Sequence, residues 1–525
     1  MLLGVAVALY GGLYSLDQYM TGEGHPGYFG FSPERVTDAV GSLSGLFAAI
    51  LGIIITVVSI IVQLSAERYA HVTQMFLRDR TNLAVLGFYV LSCIWGVLNA
   101  FSLQTGWVPR ITLTAVIVLA AACFAVMAPY FAYVFDFLQP ENIIGRIRSE
   151  ADASAREGSR TLAEAERAHL QARTLNGMEE LTDITINSIS SKDKIIAVAA
   201  VDALKDFAVS YLGHKRQARK DWFIVGSGIR QNPDFVSMAP GVVDDMESRH
   251  TWVEWKVLRQ YQGIYLDALV HMKDVAYVIC IDTRYIGEKA IAVEDQEALY
   301  VCVKFFNSYL RATLNARDVR TAYNLLNQYR ALIEALLRAG WDAKAAEVGN
   351  YIKYYSHISF RMGLPFVTET CAYDLESLCE LAHDLKSPAE AALLKTFLEI
   401  DQPSMESDVE ETGLRGVRKA QIKLATHYIV AGAEPLARQI HDDMLGERPE
   451  RLRSIRDELM SVTSEDFWEV IDRGRNFDYL SPERKKALSV FYSWFPRHTT
   501  ELMESQKETT PPARSPKSEA SSGAH

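Results

Sequence analysis

The sequence predicts an all-α protein with a four-helix transmembrane region followed by a large cytoplasmic helical domain. Three long runs, 39–62, 83–109 and 111–135, contain no charged residue and are mostly apolar. About 20 apolar residues in a helix span the hydrocarbon core of a bilayer. Lipid offers no partners for open backbone groups, so these runs are predicted to be helices. The rest of the chain has apolar residues at helical spacing and no convincing set of strands.

The transmembrane domain is predicted to occupy residues 1–138. Its first apolar segment, 2–16, is short for a membrane span, but it lacks the basic start and the cleavage site of a signal peptide. A short helix can be accommodated by local thinning of the bilayer, so this segment is interpreted as a membrane helix. The four predicted helices are about 2–16, 39–62, 83–104 and 111–137.

Basic residues between the runs predict the orientation. Lys and Arg accumulate on the cytoplasmic side of membrane helices. The loop between the second and third helices contains three arginines, as does the stretch after the fourth, whereas the two other loops contain one each. The two basic segments contain Arg68, Arg78, Arg80, Arg146, Arg148 and Arg156. We therefore expect a multi-pass inner-membrane protein with both termini in the cytoplasm. The six cysteines include no CxxC pair. Their pattern indicates small buried residues in a reducing compartment and not a disulfide framework.

The soluble part is predicted to contain two helical regions, a stalk and helical domain at 139–319 and a repeat-like domain at 320–500. Residues 501–525 have the composition of a disordered tail. The repeat prediction depends on a tetratricopeptide-like spacing, with Gly340 as a C-cap in a second, partial match. An ordinary helical bundle is the alternative. The positions that fit are Leu424, Tyr428, Gly432, Ala437 and Pro449, then Leu336, Gly340 and Ala345.

Residues 58–98 resemble a bacterial family of predicted integral membrane proteins, the domain of unknown function 2254. The resemblance lies in Gln63-Leu64-Ser65, in the stretch from Phe76 to Asn82, and in Leu86-Gly87. A weaker resemblance at 314–322 departs from the family pattern, because two residues separate Asn315 from Asp318. The resemblance is expected to cover about the first 340 residues. The resemblance implies an inner-membrane protein with a cytoplasmic domain, and it implies no particular reaction.

Small and polar residues form a stripe on one face of the second predicted helix, because they recur every three, four or seven residues. One interpretation is a polar path between protomers, and the other is close helix packing with hydroxyls bonded across helices. No ionisable residue lies in the stripe, which favours packing. The stripe consists of Gly45, Gly52, Thr56, Ser59 and Gln63.

Arg78, Asp79 and Arg80 lie in the short loop before the third predicted helix. They are candidates for docking to the soluble domain or to anionic headgroups. The alternative is a plain topology signal. Both interpretations stay open, because a topology signal needs the positive charges but not the aspartate between them.

A dense group of aromatic and charged residues occurs at 467–480. It predicts a partner-binding surface on the repeat-like domain, and the alternative is a turn with paired charges between two helices. The residues proposed for this surface are Trp468, Asp472, Arg473 and Arg475.

The function predicted from these patterns is that of a membrane-anchored scaffold or regulator that binds a cytosolic protein. The alternative is an oligomeric channel or transporter lined by the second predicted helix. The net charge of −11 argues against general nucleic-acid binding. No HExxH, GxSxG or Walker-type motif occurs, so no catalytic residue, metal or cofactor is predicted and an enzyme is disfavoured.

Overall fold

The computed structural model describes residues 9, 11–16, 18–19, 33–66, 72–102, 110–401, 408–467, 473–474 and 476–496. These residues form helices and turns but no strand, which confirms the all-α prediction. The chain divides into two compact units, residues 1–236 and 237–525. The predicted boundaries after residues 138 and 319 differ from this division, because helices on both sides of each predicted boundary pack together.

Among the residues described from 33 onward, nine α-helices form the N-terminal unit together with two short 3-10 helices. The α-helices fall into a membrane group of four, a second group of three, and two short terminal helices. The membrane group is α1 (Pro33–Ala66), α2 (Val72–Arg78), α3 (Arg80–Ser102) and α4 (Arg110–Phe137). The others are α5 (Pro140–Gly158), α6 (Glu164–Ser190), α7 (Lys194–His214), α8 (Ser227–Arg230) and α9 (Pro233–Val236).

Three described helices are long and apolar enough to cross a membrane. The spans are Ser42–Gln63 in α1, Arg80–Ser102 in α3 and Ile111–Phe137 in α4. They correspond to the second, third and fourth predicted spans. Residues 9 and 11–16 of the first predicted span, 2–16, are described and helical, and the rest of it lies outside the described residues, so a fourth span stays a prediction.

The three spans pack against one another, and their polar side chains are bonded between helices. The hydroxyl of Tyr89 donates to the carbonyl of Cys123 at 2.8 Å, and the Asn99 amide donates to the carbonyl of Thr112 at 3.0 Å. Such bonds remove the cost of leaving polar groups unpaired in hydrocarbon. Gly96 lies against the Phe47 ring, so close that an added Cβ would come within 3.0 Å of it.

Helices α5, α6 and α7 form a three-helix bundle outside the spans. Trp222 follows the bundle and is fully buried, and its indole donates to the Tyr211 hydroxyl at 3.1 Å. Gly177 on α6 allows a close approach to α5, because an added Cβ would lie 2.8 Å from that of Ala151. The bundle therefore presents a tightly packed α5–α6 surface next to the ends of the spans.

The C-terminal unit contains twelve helices among its described residues. The first six after α10 are each 20 residues long. The helices are α10 (Pro240–Ser248), α11 (Trp252–His271), α12 (Lys273–Ala292), α13 (Gln296–Asn315), α14 (Val319–Arg338), α15 (Asp342–Arg361), α16 (Pro365–Asp384), α17 (Glu390–Leu398), α18 (Asp408–Val430), α19 (Glu434–Asp443), α20 (Pro449–Ser461) and α21 (Pro482–Tyr492).

Helices α11 to α18 form a stack of hairpins in two layers. Each helix from α11 to α16 packs against the next helix in the chain and also against the helix after that. One layer is α11, α13, α15 and α17, and the other is α12, α14, α16 and α18. Each hairpin therefore buries its apolar face on its neighbours, as in repeat proteins.

The repeat in this stack is longer than the predicted tetratricopeptide spacing. Five successive helices begin 23 residues apart, at Lys273, Gln296, Val319, Asp342 and Pro365. A hairpin therefore takes about 46 residues, whereas the tetratricopeptide unit takes about 34. The predicted repeat-like character is present, but it begins at α11 and not at residue 320.

The turns between these helices share one conformation. Gly340 has a φ of +75°, and the amide of Trp341 donates to the carbonyl of Leu336, which is the hydrogen bond of a Schellman motif. The predicted C-cap at Gly340 is confirmed. The same left-handed position is taken by Glu294, Arg317, Gly363, Lys386 and Gly432.

Candidate functional site

Asp79 occupies the break between α2 and α3, where the chain enters the second described span. Its Oδ1 accepts hydrogen bonds from the backbone amides of Thr81 at 2.9 Å and Asn82 at 3.0 Å, so it is the N-cap of α3. The hydroxyl of Tyr133 on α4 donates to the same oxygen at 2.5 Å. The Arg146 guanidinium on α5 lies 3.8 Å from Oδ2. One carboxylate therefore contacts three different helices.

Asn82 extends this junction into the membrane group. Its side-chain amide donates to the carbonyl of Phe76 at 3.0 Å, and the Tyr130 hydroxyl donates to its oxygen at 2.7 Å. The Phe76 ring meets Phe137 edge to face at 5.2 Å. These contacts fix α2 and the start of α3 onto the end of α4.

The environment of Asp79 keeps its carboxylate ionised. Burial alone would raise the pKa of Asp79, but hydrogen bonds from Tyr133, Asn82 and Thr81 and the positive charge of Arg146 outweigh it, and the pKa lies below its ordinary value. Arg146 is held in turn by the face of Phe137, 4.0 Å from the ring centre. The junction is therefore charged at neutral pH.

A cavity of about 360 Å³ lies beside this junction, between the loop of Asp79 and the α5–α6 surface. Its lining is strongly charged in both signs. Arg173 on α6 is paired with Glu150 on α5 at 2.6 Å. The charged residues that line it are Arg78, Asp79, Arg146, Glu150, Arg173 and Glu180.

The three loop residues singled out from the sequence have different positions. Asp79 is turned inward and holds the junction together. Arg78 is exposed and lines the cavity, and it forms no ion pair with any described residue. Arg80 is also exposed, but it does not line the cavity. The sequence singled out this loop but did not identify the groups that meet it, because Tyr133 and Arg146 lie more than 50 residues away.

The predicted stripe on α1 faces away from the other described spans. Gly45, Gly52, Thr56, Ser59 and Gln63 are all exposed, whereas the packed face of α1 is formed by large apolar residues such as Phe47 and Ile54. No described atom would come within 4 Å of a Cβ added at Gly45 or Gly52. The hydroxyl of Thr56 donates to the carbonyl of Gly52 within the helix. Ala49, exposed on the same face, was not recognised from the sequence.

Arg473, one of the four residues predicted to form a partner surface, is directed into the C-terminal unit instead. Its guanidinium pairs with the buried Asp374 at 2.5 Å and donates to the carbonyl of Tyr323 at 2.6 Å. It also lies 4.3 Å from the centre of the Tyr323 ring. These contacts use the Arg473 side chain within the C-terminal unit, and the partner-binding surface stays a prediction. Trp468, Asp472 and Arg475 lie outside the described residues.

Arg473 belongs to a buried group of charges between α16, α18 and the segment before α21, which we call the charge cluster. Lys419 is its centre, with Glu369 at 3.3 Å, Glu458 at 3.2 Å and Asp478 at 3.0 Å. Burial favours the neutral amine of Lys419, but the charges of the three carboxylates outweigh burial and raise the pKa of Lys419. The charge cluster holds the C-terminal helices together. The remaining members are Glu376, Glu380, Lys423 and Arg484.

Metal-ligand geometry is not found in the described ranges, where no group of three or more His, Cys, Asp or Glu side chains could hold a metal ion.

The fold and the junction define an α-helical membrane protein with a stacked helical unit outside the spans. Residues 1–211 match the family model described as predicted membrane protein, the domain of unknown function 2254. The resemblance predicted from residues 58–98 is thus confirmed. The match ends well before the expected residue 340, so it does not include the weaker resemblance at 314–322.

Comparisons with other proteins add little to this match. No curated protein matches the chain. A solved structure, a circular tandem repeat protein with novel repeat topology and enhanced subunit contact surfaces, is 13% identical and aligns over 89% of this chain and 98% of its own. Its TM-score of 0.25 is too low for an argument about the fold.

Proposed function

We propose that this protein is a membrane-anchored scaffold or regulator whose hairpin stack binds a cytosolic protein. The regular stack of α11 to α18 supports this proposal, because such stacks form extended surfaces that bind partners. In this proposal the protein lies in the inner membrane with both termini in the cytoplasm, and the first predicted span, 2–16, completes a four-helix membrane domain.

The layer formed by α12, α14 and α16 is the face we propose for the partner. Its helices are joined by polar side chains, with the Arg284 guanidinium donating to Gln328 at 2.8 Å and the Gln328 amide donating to the Tyr277 hydroxyl at 3.1 Å. Arg284 also covers the half-exposed Tyr285 ring at 4.2 Å. An ordered polar surface with an aromatic residue favours specific association.

Site-specific photo-crosslinking in native membranes tests this face. A photoreactive phenylalanine analogue at Tyr285 is expected to give one discrete adduct with a cytosolic protein, because the position lies on the proposed face. The control is the same analogue at Tyr354 on α15, which is equally exposed but belongs to the other layer. No adduct from Tyr285, or equal adducts from both positions, would contradict the proposal.

A second candidate function is an oligomeric channel lined by α1. The observation that favours it is the outward position of the stripe, which leaves Ser59 and Gln63 available to another protomer. In this proposal several copies place their stripes around a common polar path.

Ion flux in liposomes tests the channel proposal. Ser59→Leu and Gln63→Leu are expected to lower potassium flux by about tenfold or more, because each replaces a polar lining group by an apolar one. Ile60→Leu is the control, since Ile60 is exposed on the same helix but lies off the stripe. Flux that is unchanged in both stripe variants would exclude α1 as the lining.

A further inference from the structure

The cavity beside Asp79 lies at the level where the spans end. Arg78 and Asp79 immediately precede the span Arg80–Ser102, and Phe137 is the last residue of the span Ile111–Phe137. Residues at the ends of spans lie in the headgroup region of a bilayer. The cavity is therefore positioned to receive the polar end of a lipid.

The charges that line the cavity are balanced, with three arginines and three carboxylates. Two of the arginines already have partners, since Arg146 lies beside Asp79 and Arg173 is paired with Glu150. Arg78 has no ion pair among the described residues. A ligand with only negative charge would meet Arg78 but would also face the carboxylates. A ligand with both charges would bind Arg78 through its anionic end. Its cationic end could donate to the lining carboxylates beside their existing partners, because a carboxylate has about four acceptor positions.

We propose that this cavity binds the headgroup of a zwitterionic phospholipid that carries a phosphate and a primary ammonium, as in phosphatidylethanolamine. Arg78 binds the phosphate, and Glu150 and Glu180 receive the ammonium. The volume of about 360 Å³ is within the range of small-ligand pockets. Asp79 acts as a positioning residue, because it holds the loop that presents Arg78 and keeps Arg146 engaged.

The class of ligand follows from the hydrogen-bonding capacity of the two ends. The Arg78 guanidinium offers parallel donors that suit phosphate oxygens. A primary ammonium donates three hydrogen bonds to carboxylates, whereas a quaternary ammonium donates none. The cavity should therefore prefer ethanolamine to choline headgroups, and it should prefer both charges to an anionic glycerol headgroup.

Native mass spectrometry of the full-length protein released from nanodiscs tests the proposal. The nanodiscs contain equal amounts of phosphatidylethanolamine, phosphatidylcholine and phosphatidylglycerol. The wild type is expected to retain phosphatidylethanolamine most strongly. Arg78→Gln should lower this retention by about fivefold, the effect of one basic residue near a membrane surface. Glu180→Gln should remove the preference for phosphatidylethanolamine over phosphatidylcholine.

Arg80→Gln is the matched control, because Arg80 is an exposed arginine two residues from Arg78 that does not line the cavity. It should leave retention unchanged. Equal losses in Arg78→Gln and Arg80→Gln would show general surface attraction and overturn the proposal, as would stronger retention of phosphatidylglycerol by the wild type. Displacement of the lipid by soluble glycerophosphoethanolamine at micromolar concentration would overturn the lipid as the source of the headgroup. Unchanged melting temperatures identify variants that fold normally.

Discussion

Replacing Lys419 by methionine is expected to lower the free energy of unfolding of the C-terminal unit by about 3–5 kcal/mol. The Lys419 side chain is only 6% exposed, and its ammonium is shared by Glu369, Glu458 and Asp478. Methionine has a similar length but no charge, so the three carboxylates would lose the cation they share. Hydrogen exchange of the α18 amides in the detergent-solubilised full chain measures the loss.

The effect of this substitution should depend on pH. Burial already raises the pKa of Glu369, and the charges of Asp478 and Glu458 add to it against Lys419. Without the ammonium, the folded-state pKa of Glu369 rises further above its unfolded value. Protonation of Glu369 then favours the folded state, so the variant regains stability as the pH falls through this raised pKa. The loss should be larger at pH 8 than at pH 5, and equal losses would contradict this account.

Lys395→Met is the control for a lysine that is not buried. The Lys395 ammonium lies 3.9 Å from Glu399, and its side chain is 78% exposed. Exposed pairs of this kind contribute about 0.5 kcal/mol or less. A loss in the control as large as that in Lys419→Met would show that the charge cluster has no special role.

Replacing Asp79 by alanine is expected to lower the free energy of unfolding of the N-terminal unit by about 2–3 kcal/mol. Loss of an N-cap costs about 1 kcal/mol. The half-buried Tyr133 hydroxyl would also lose its acceptor, which costs about 1–2 kcal/mol. Hydrogen exchange of the first turn of α3, at Thr81 and Asn82, should become faster before that of the rest of the helix.

Asp79→Asn is the control, because asparagine caps helices well and its side-chain oxygen can accept from Tyr133. This substitution should lower the free energy of unfolding by less than about 1 kcal/mol, since solvent screens the contact with the half-exposed Arg146. Because the pKa of Asp79 is lowered by folding, its contribution is present above about pH 3.9 and is lost as the pH falls through the lower folded-state value. A loss in Asp79→Asn equal to that in Asp79→Ala would contradict the role of the side-chain oxygen.

In the hairpin stack, local sequence patterns predict some of the turns but not all of them. Gly340 and Gly432 were recognisable, because glycine is the residue that adopts a left-handed conformation without strain. The equivalent turns at Glu294, Arg317 and Lys386 show no such signal, so the regular spacing of 23 residues was missed. The backbone of these three residues adopts the left-handed conformation because packing holds the helices on both sides in place.

The candidate site was likewise predicted only in part from the sequence. The loop of Arg78, Asp79 and Arg80 was identified from its charges, but the three side chains differ in role only because α4 and α5 approach it. Arg473 was expected at a partner-binding surface because aromatic and charged residues are dense at 467–480. Its burial depends on Asp374, a carboxylate 99 residues earlier that satisfies its charge.

The amino-acid sequence alone determined that this protein enters a membrane, since long apolar runs without charges are more stable in lipid than in water, and it determined the helical character of the remainder through its apolar spacing. The tertiary structure decided which charges are used internally and which stay available. Contacts of that kind join residues that are distant in the chain, and their energies depend on burial and distance rather than on local residue type.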